Sequence, residues 1–248
     1  TERVGLGHPL RPPDELGGMP YHVTLDYDTY ERAREEFEWD VPGDYNAAYD
    51  LLRKHEDPKG RVALFQAYPD GRRETYTFRD LDVRSNRLAG ALRGLGVERG
   101  DRVGVVVPQK PANALTHLAC WKLGAVSLPL SVLFGPDALA YRLGDSDAKV
   151  AVVDASVREA VDAARGELPD LAHVVEVDGE AAGDAHAFAE LPAGEPREFD
   201  IVGTDADTPA VVLYTSGSTG PPKGVLHGHG LWLGHCPAFR MYFERDLE

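Results

Sequence analysis

The spacing of apolar positions along the chain changes several times, and each change marks an element. Residues 28–38 place Tyr30, Arg34 and Phe37 on one side among many charges, and residues 45–55 repeat the apolar–polar rhythm of a helix. Both read as short surface helices. At Thr77 a hydroxyl stands three residues before Asp80, and Leu81, Leu88, Leu92 and Leu95 follow at helical spacing until Gly94 and Gly96 close the run. The pattern then alternates. An apolar run at 102–107 reads as a strand, Pro111 opens a helix that ends at Gly124, and a second apolar run covers 125–130. The same beat continues with a helix from Pro136 to Gly144, a strand at 149–153, a helix at 156–165 and a strand at 173–177. Strands alternating with helices predict an α/β fold built on mostly parallel sheets with flanking helices. Residues 178–196, rich in Ala, Gly, Glu and Asp, read as a solvated connection.

Composition narrows the choice of ligand. Forty-one acidic against 26 basic side chains leave a net charge of −15 over 248 residues, which argues against general affinity for nucleic acid or an anionic membrane surface. Any anionic ligand must then be held by a local site. Cys120 and Cys236 lie far apart, so no disulfide framework is implied and a reducing, cytoplasmic location is expected. The apolar stretch 119–134 is interrupted by Lys122, Gly124 and Pro129, short of the roughly 20 residues a membrane span requires. No membrane span is expected, and residues 1–20 carry no secretory signal pattern.

One segment concentrates the chemistry. Residues 210–214 read as a short buried strand that runs directly into Thr215, Ser216, Gly217, Ser218, Thr219, Gly220, Pro221, Pro222, Lys223 and Gly224. A loop of hydroxyls and glycines at the carboxyl end of a strand can present N–H and O–H donors to a polyphosphate, because glycine allows close backbone approach. Lys223 would add the compensating charge, held at a set distance by two prolines of fixed φ. A flexible Gly/Ser surface loop is the plain alternative, and the strand before it and Pro-Pro-Lys-Gly after it argue against that reading. A P-loop requires Gly-Lys-Ser/Thr, whereas this chain has Pro222, Lys223 and Gly224. His227, His229, His235 and Cys236 lie close together, but their spacing matches no usual zinc ligand set, and no metal site is expected there.

The run from Tyr214 to Gly224 resembles the signature phosphate-binding loop of the adenylate-forming superfamily, which includes acyl-CoA synthetases, luciferases and peptide-synthetase adenylation domains. Segments beginning at Tyr76, Ser85, Leu95 and Trp121 resemble the family's preceding stretches in the same order, so the likeness spans about residues 45–229. The stretches around Phe37, Asn46 and Val225 are most similar to acetyl- and medium-chain acyl-CoA synthetases.

The resemblance implies an AMP-forming ligase that activates a carboxylic acid, from acetate to medium-chain or aromatic, with ATP and Mg²⁺ and passes the acyl group to CoA. It further implies an irregular segment at 1–26 and an incomplete AMP-binding domain at 27–248. The family's adenine segment, ribose-binding Asp, hinge and small C-terminal domain have no counterpart before Glu248. The isolated chain is therefore expected to be inactive alone. Thr215, Ser216, Ser218, Thr219 and Lys223 would hold the phosphates, with Gly217 and Gly220 shaping the backbone. Thr215 and Lys223 are the residues expected to act in catalysis. His229 is expected near the acyl group or at a helix cap. An adenylation domain with another acceptor, or a non-enzymatic nucleotide-binding remnant, remain the other readings. Cys120, Trp121 and Trp232 are expected to be core.

Overall fold

The computed structural model describes residues 27–54, 57–179, 181, 183–216 and 220–235. The strands are β1 (Val62–Ala67), β2 (Arg73–Thr77), β3 (Arg102–Val106), β4 (Val126–Pro129), β5 (Ala148–Asp154), β6 (His173–Val177), β7 (His186–Ala187), β8 (Pro209–Thr215) and β9 (Lys223–Gly228). The helices are α1 (Tyr30–Glu36), α2 (Ala47–Arg53), α3 (Phe78–Gly94), α4 (Pro111–Leu123), α5 (Pro136–Asp145) and α6 (Arg158–Ala164). Seven strands form one sheet in the order β7-β6-β5-β3-β4-β8-β9. All neighbours in it run parallel except the β8–β9 pair at the edge. The expected α/β fold with a mostly parallel sheet and flanking helices is what forms.

Successive residues of a strand point to opposite faces, and the valine-rich strands supply both. Val103, Val105, Val150, Val152, Val175 and Val177 pack with α3 and α4. Val106, Ala151, Val153 and Val174 pack with α5 and α6 on the other face. Between them in β3, Gly104 has no side chain, and a Cβ there would sit 2.6 Å from Leu143 Cδ2. The missing methyl lets α5 lie close against the sheet.

Local signals explain the helix boundaries. Asp80 N donates to Thr77 Oγ1 and Asp80 Oδ2 accepts from Thr77 N, which closes a capping box at the start of α3. Pro111 begins α4, and Gly124 ends it at φ 68°, a left-handed conformation that glycine adopts without strain. The helix expected at 156–165 is α6 flanked by single 3₁₀ turns.

Three expectations need correction. Tyr45, Ala47, Ala48 and Leu52 are buried, so α2 belongs to the core instead of lying on the surface. The stretch 178–196 contains β7, and Phe188 and Leu191 pack against the core. Only Ala210 and Val211 of β8 are buried, because the antiparallel β9 pairs with it at an open edge. The β1–β2 hairpin and β9 were not among the expected elements. Phe65 faces solvent and β2 is mostly polar, so neither strand of the hairpin carries a clean apolar alternation. Cys120 and Trp121 are buried as expected, while Cys236 lies outside the described residues, as does the segment 1–26.

Candidate functional site

Strand β8 is parallel to β4 and leaves the sheet at its carboxyl end, where ligands of open α/β sheets bind. The chain returns as β9 in antiparallel register that pairs Thr215 with Lys223 and Tyr214 with Gly224. Residues directly opposite in such a pair have Cβ atoms about 5 Å apart, so the hairpin itself makes the Thr215 and Lys223 side chains neighbours. The Thr215 hydroxyl reaches the Lys223 carbonyl at a long 3.5 Å. Lys223 is exposed and forms no ion pair among the described residues, so its ammonium is available to an anion. Ser216 is likewise exposed, and Gly220 has φ +90°, a turn conformation suited to glycine. Gly217, Ser218 and Thr219 lie outside the described residues.

Helix α5 touches both ends of this loop. The Tyr141 hydroxyl donates to the Pro222 carbonyl oxygen at 2.9 Å, and the Tyr214 hydroxyl donates to Asp145 Oδ2 at 2.5 Å. The two tyrosine rings meet edge to face with centroids 6.3 Å apart. Burial, and then the Asp145 carboxylate, push the Tyr214 phenol well above its usual range, so it stays a donor. The Tyr214 ring lies across Gly224, where a Cβ would be 3.2 Å from the ring. The sequence signal for this support was a tyrosine and an aspartate four apart on α5, which carries no chemistry until β8 and β9 are placed beside it.

His229 is not brought to the loop. It follows the far end of β9, about 20 Å from Lys223 at the rise of an extended strand. There its ring is fully buried, and Nδ1 accepts the Ala47 N–H at 3.1 Å. Asn46 Oδ1 accepts from Ala48 and Tyr49, so the two side chains together satisfy the opening N–H groups of α2. Among the described residues, His229 Nε2 has no hydrogen-bond partner, and burial lowers the ring's pKa to about 4, with Asp205 opposing and Arg99 assisting. The ring is neutral, and Nδ1 as acceptor leaves the proton on Nε2. Among the described residues, no three His, Cys, Asp or Glu side chains form a metal-binding group. A cavity of about 380 Å³ lies elsewhere, between α2 and α3, lined by Arg53, Arg79, Asp82 and Asn86.

Residues 52–246 match the AMP-binding enzyme family over more than half of the chain. The chain belongs to that family. It is 37% identical over 215 residues to the acetyl-coenzyme A synthetase of Bacillus subtilis, covering 81% of this chain and 37% of that protein. It is 35% identical over 219 residues to the 3-hydroxypropionyl-coenzyme A synthetase of Sulfurisphaera tokodaii, covering 79% of this chain and 32% of that one. The chain thus spans about a third of the length of these curated relatives. Among solved structures, the Brucella canis acyl-CoA synthetase superposes with a TM-score of 0.76 at 25% identity, over 86% of this chain and 40% of that one. The anthranilate CoA ligase AuaEII, in complex with anthranoyl-AMP, gives 0.72 at 29% identity, over 77% and 36%.

Proposed function

We propose that this chain supplies the phosphate-binding part of an AMP-forming acyl-CoA synthetase. The single observation that carries the reading is the β8–β9 hairpin, which sets Thr215 opposite an exposed Lys223, without an ion pair among the described residues, at the carboxyl edge of the sheet in a chain of the AMP-binding family. A carboxylate oxygen attacks the α-phosphorus of ATP, supplied as its Mg²⁺ complex. The bond to the bridging oxygen breaks, and the acyl-adenylate and pyrophosphate form. Negative charge grows on the leaving pyrophosphate, so Lys223 and the hydroxyls of Thr215, Ser216, Ser218 and Thr219 stabilise the transition state by facing its β and γ phosphates. Gly217 and Gly220 allow the backbone to approach. The thiol of CoA then attacks the acyl carbon and releases AMP.

The named relatives act on acetate-like, hydroxylated and aromatic acids, which supports a substrate between acetate and a medium-chain or aromatic acid. The distance of His229 from the loop supports a structural role for it over contact with the reacting carboxylate. Among the described residues, no helix is long and apolar enough to cross a membrane, which fits a proposed cytoplasmic location.

The test is carboxylate-dependent ATP–pyrophosphate exchange by the chain in its complete reading frame, run with acids from acetate to medium-chain and aromatic. Exchange with one class of acid that falls at least a hundredfold in Lys223→Ala, on the order of 3 kcal/mol of transition-state stabilisation, is the expected result. Exchange that survives Lys223→Ala unchanged overturns the assignment of the loop.

A further inference from the structure

Among the described residues, the hairpin has little of its own to hold Thr215 and Lys223 at a fixed spacing. Thr215 reaches the Lys223 carbonyl only at 3.5 Å, β9 is an edge strand among the described residues, and residues 223–226 are exposed. A preorganised phosphate cradle requires its donors fixed before the ligand arrives, or their ordering is charged against binding.

Both fixed points lie on one helix. Tyr141 and Asp145 are four residues apart on α5, so they share a face. Tyr141 holds the carbonyl of Pro222, the residue before Lys223. Asp145 holds the hydroxyl of Tyr214, the residue before Thr215, and the Arg142 carbonyl lies 3.3 Å from that same hydroxyl. Arg142 extends from α5 over the rings of Phe134 and Tyr214, 4.2 Å and 5.8 Å from their centroids. The helix is itself anchored, because Leu139, Ala140 and Leu143 are buried and Gly104 lets it approach β3.

We propose that Tyr141 and Asp145 are positioning residues that grip the two ends of the 215–223 loop and so set the spacing between the Thr215 hydroxyl and the Lys223 ammonium. The proposal rests on the phosphate-binding role argued above, and neither residue touches the nucleotide. Removing one grip leaves β8 and β9 paired but lets one flank of the loop drift. Affinity for pyrophosphate then falls while the fold persists.

The experiment compares the chain with Tyr141→Phe and Asp145→Ala variants in two measurements, and with Lys223→Ala in the second. The first is limited trypsin cleavage after Lys223, referenced to cleavage after Lys59, an exposed residue in a turn before β1. The second is calorimetric binding of magnesium pyrophosphate by the chain, with the Michaelis constant for ATP followed in the exchange assay on the same variants in the complete reading frame. Tyr141→Phe keeps the ring and removes only the hydroxyl. It should speed cleavage after Lys223 several-fold with cleavage after Lys59 unchanged, weaken pyrophosphate binding about fivefold, the worth of one hydrogen bond, and raise KM more than it lowers kcat. Asp145→Ala should do the same from the other end, and decides the matter if Tyr141→Phe also raises cleavage after Lys59. Unchanged cleavage after Lys223 in a folded variant overturns the grip. Should Lys223→Ala bind pyrophosphate like the parent while Tyr141→Phe still loosens the Lys223 bond, the grip stands and the phosphate-binding role fails.

Discussion

At the scale of single residues, His229 shows how a side chain with chemistry can be committed to structure. Its Nδ1 caps α2 and its Nε2, without a partner among the described residues, is sealed from solvent, so the ring stays neutral in the fold. Folding lowers its pKa from 6.5 to about 4, and burial does the same to His117. The unfolded chain therefore binds more protons than the folded one between pH 6.5 and 4, and stability falls as pH falls through that window. Each ring contributes on the order of 3 kcal/mol to the loss, at 1.36 kcal/mol per unit. His173 adds to it in the same direction, through burial and the neighbouring His186. Carboxylates held low in the fold, such as Asp205 beside Thr208, lose their contribution only as pH drops below their ordinary value of 3.8. Urea unfolding at pH 7 and pH 5 separates the two. His229→Gln, which retains an acceptor for Ala47, should flatten the slope between those values, and an unchanged slope would show that His229 is not the titrating group. The sequence put His229 in view through its neighbours His227 and His235, but its partner Ala47 is 182 residues away, a contact no local pattern reports.

At the scale of elements, the parts most legible in the sequence are those whose signals are local. The capping box of α3, the Pro111 and Gly124 limits of α4 and the valine runs of β3 and β5 were all readable because each depends on residues within a few positions. Strand β9 was not readable, since it begins after two prolines and is exposed over much of its length, and only its pairing with β8 defines it. The contact of α5 with β3 is likewise tertiary. Gly104 looks like a weak point in a strand until Leu143 is found 2.6 Å from the position its Cβ would take. Gly104→Ala should cost about 1–3 kcal/mol by overpacking, and Leu143→Ala alone about 2–5 kcal/mol by leaving a cavity. Because the added methyl fills part of the space the leucine vacates, the double variant should lose less than the sum. Strict additivity in denaturant unfolding would show that the two do not share that space.

Across the whole molecule, three helices on one face of the sheet are tied by a buried charge that the sequence showed only as an interruption in an apolar run. Lys122, in α4, is fully buried, and its ammonium donates to Asp82 Oδ1 at 2.7 Å, to the Asp82 carbonyl at 3.0 Å and to Asn86 Oδ1 at 2.7 Å on α3. All three of its donors are thereby used. Arg53 from α2 and Arg79 from α3 reach the same Asp82 carboxylate from the more exposed side, at 3.1 Å and 3.2 Å. Burial pulls the Lys122 pKa down to about 8 against the opposing pull of Asp82, so the ammonium depends on that carboxylate to remain charged. The arrangement is unequal. Removing Lys122 leaves Asp82 with two guanidinium partners, whereas removing Asp82 leaves a sealed cation facing two further cations. Asp82→Ala should therefore destabilise by about 3–5 kcal/mol, the usual loss when one partner of a buried pair is stranded. Lys122→Met, which replaces the stem with an apolar chain of similar length, should cost much less, about 1 kcal/mol. Urea midpoints at pH 7 for the two variants test this directly. Similar losses would mean that the arginines do not sustain Asp82 alone, and that the ammonium of Lys122 is the centre on which the packing of α2, α3 and α4 depends.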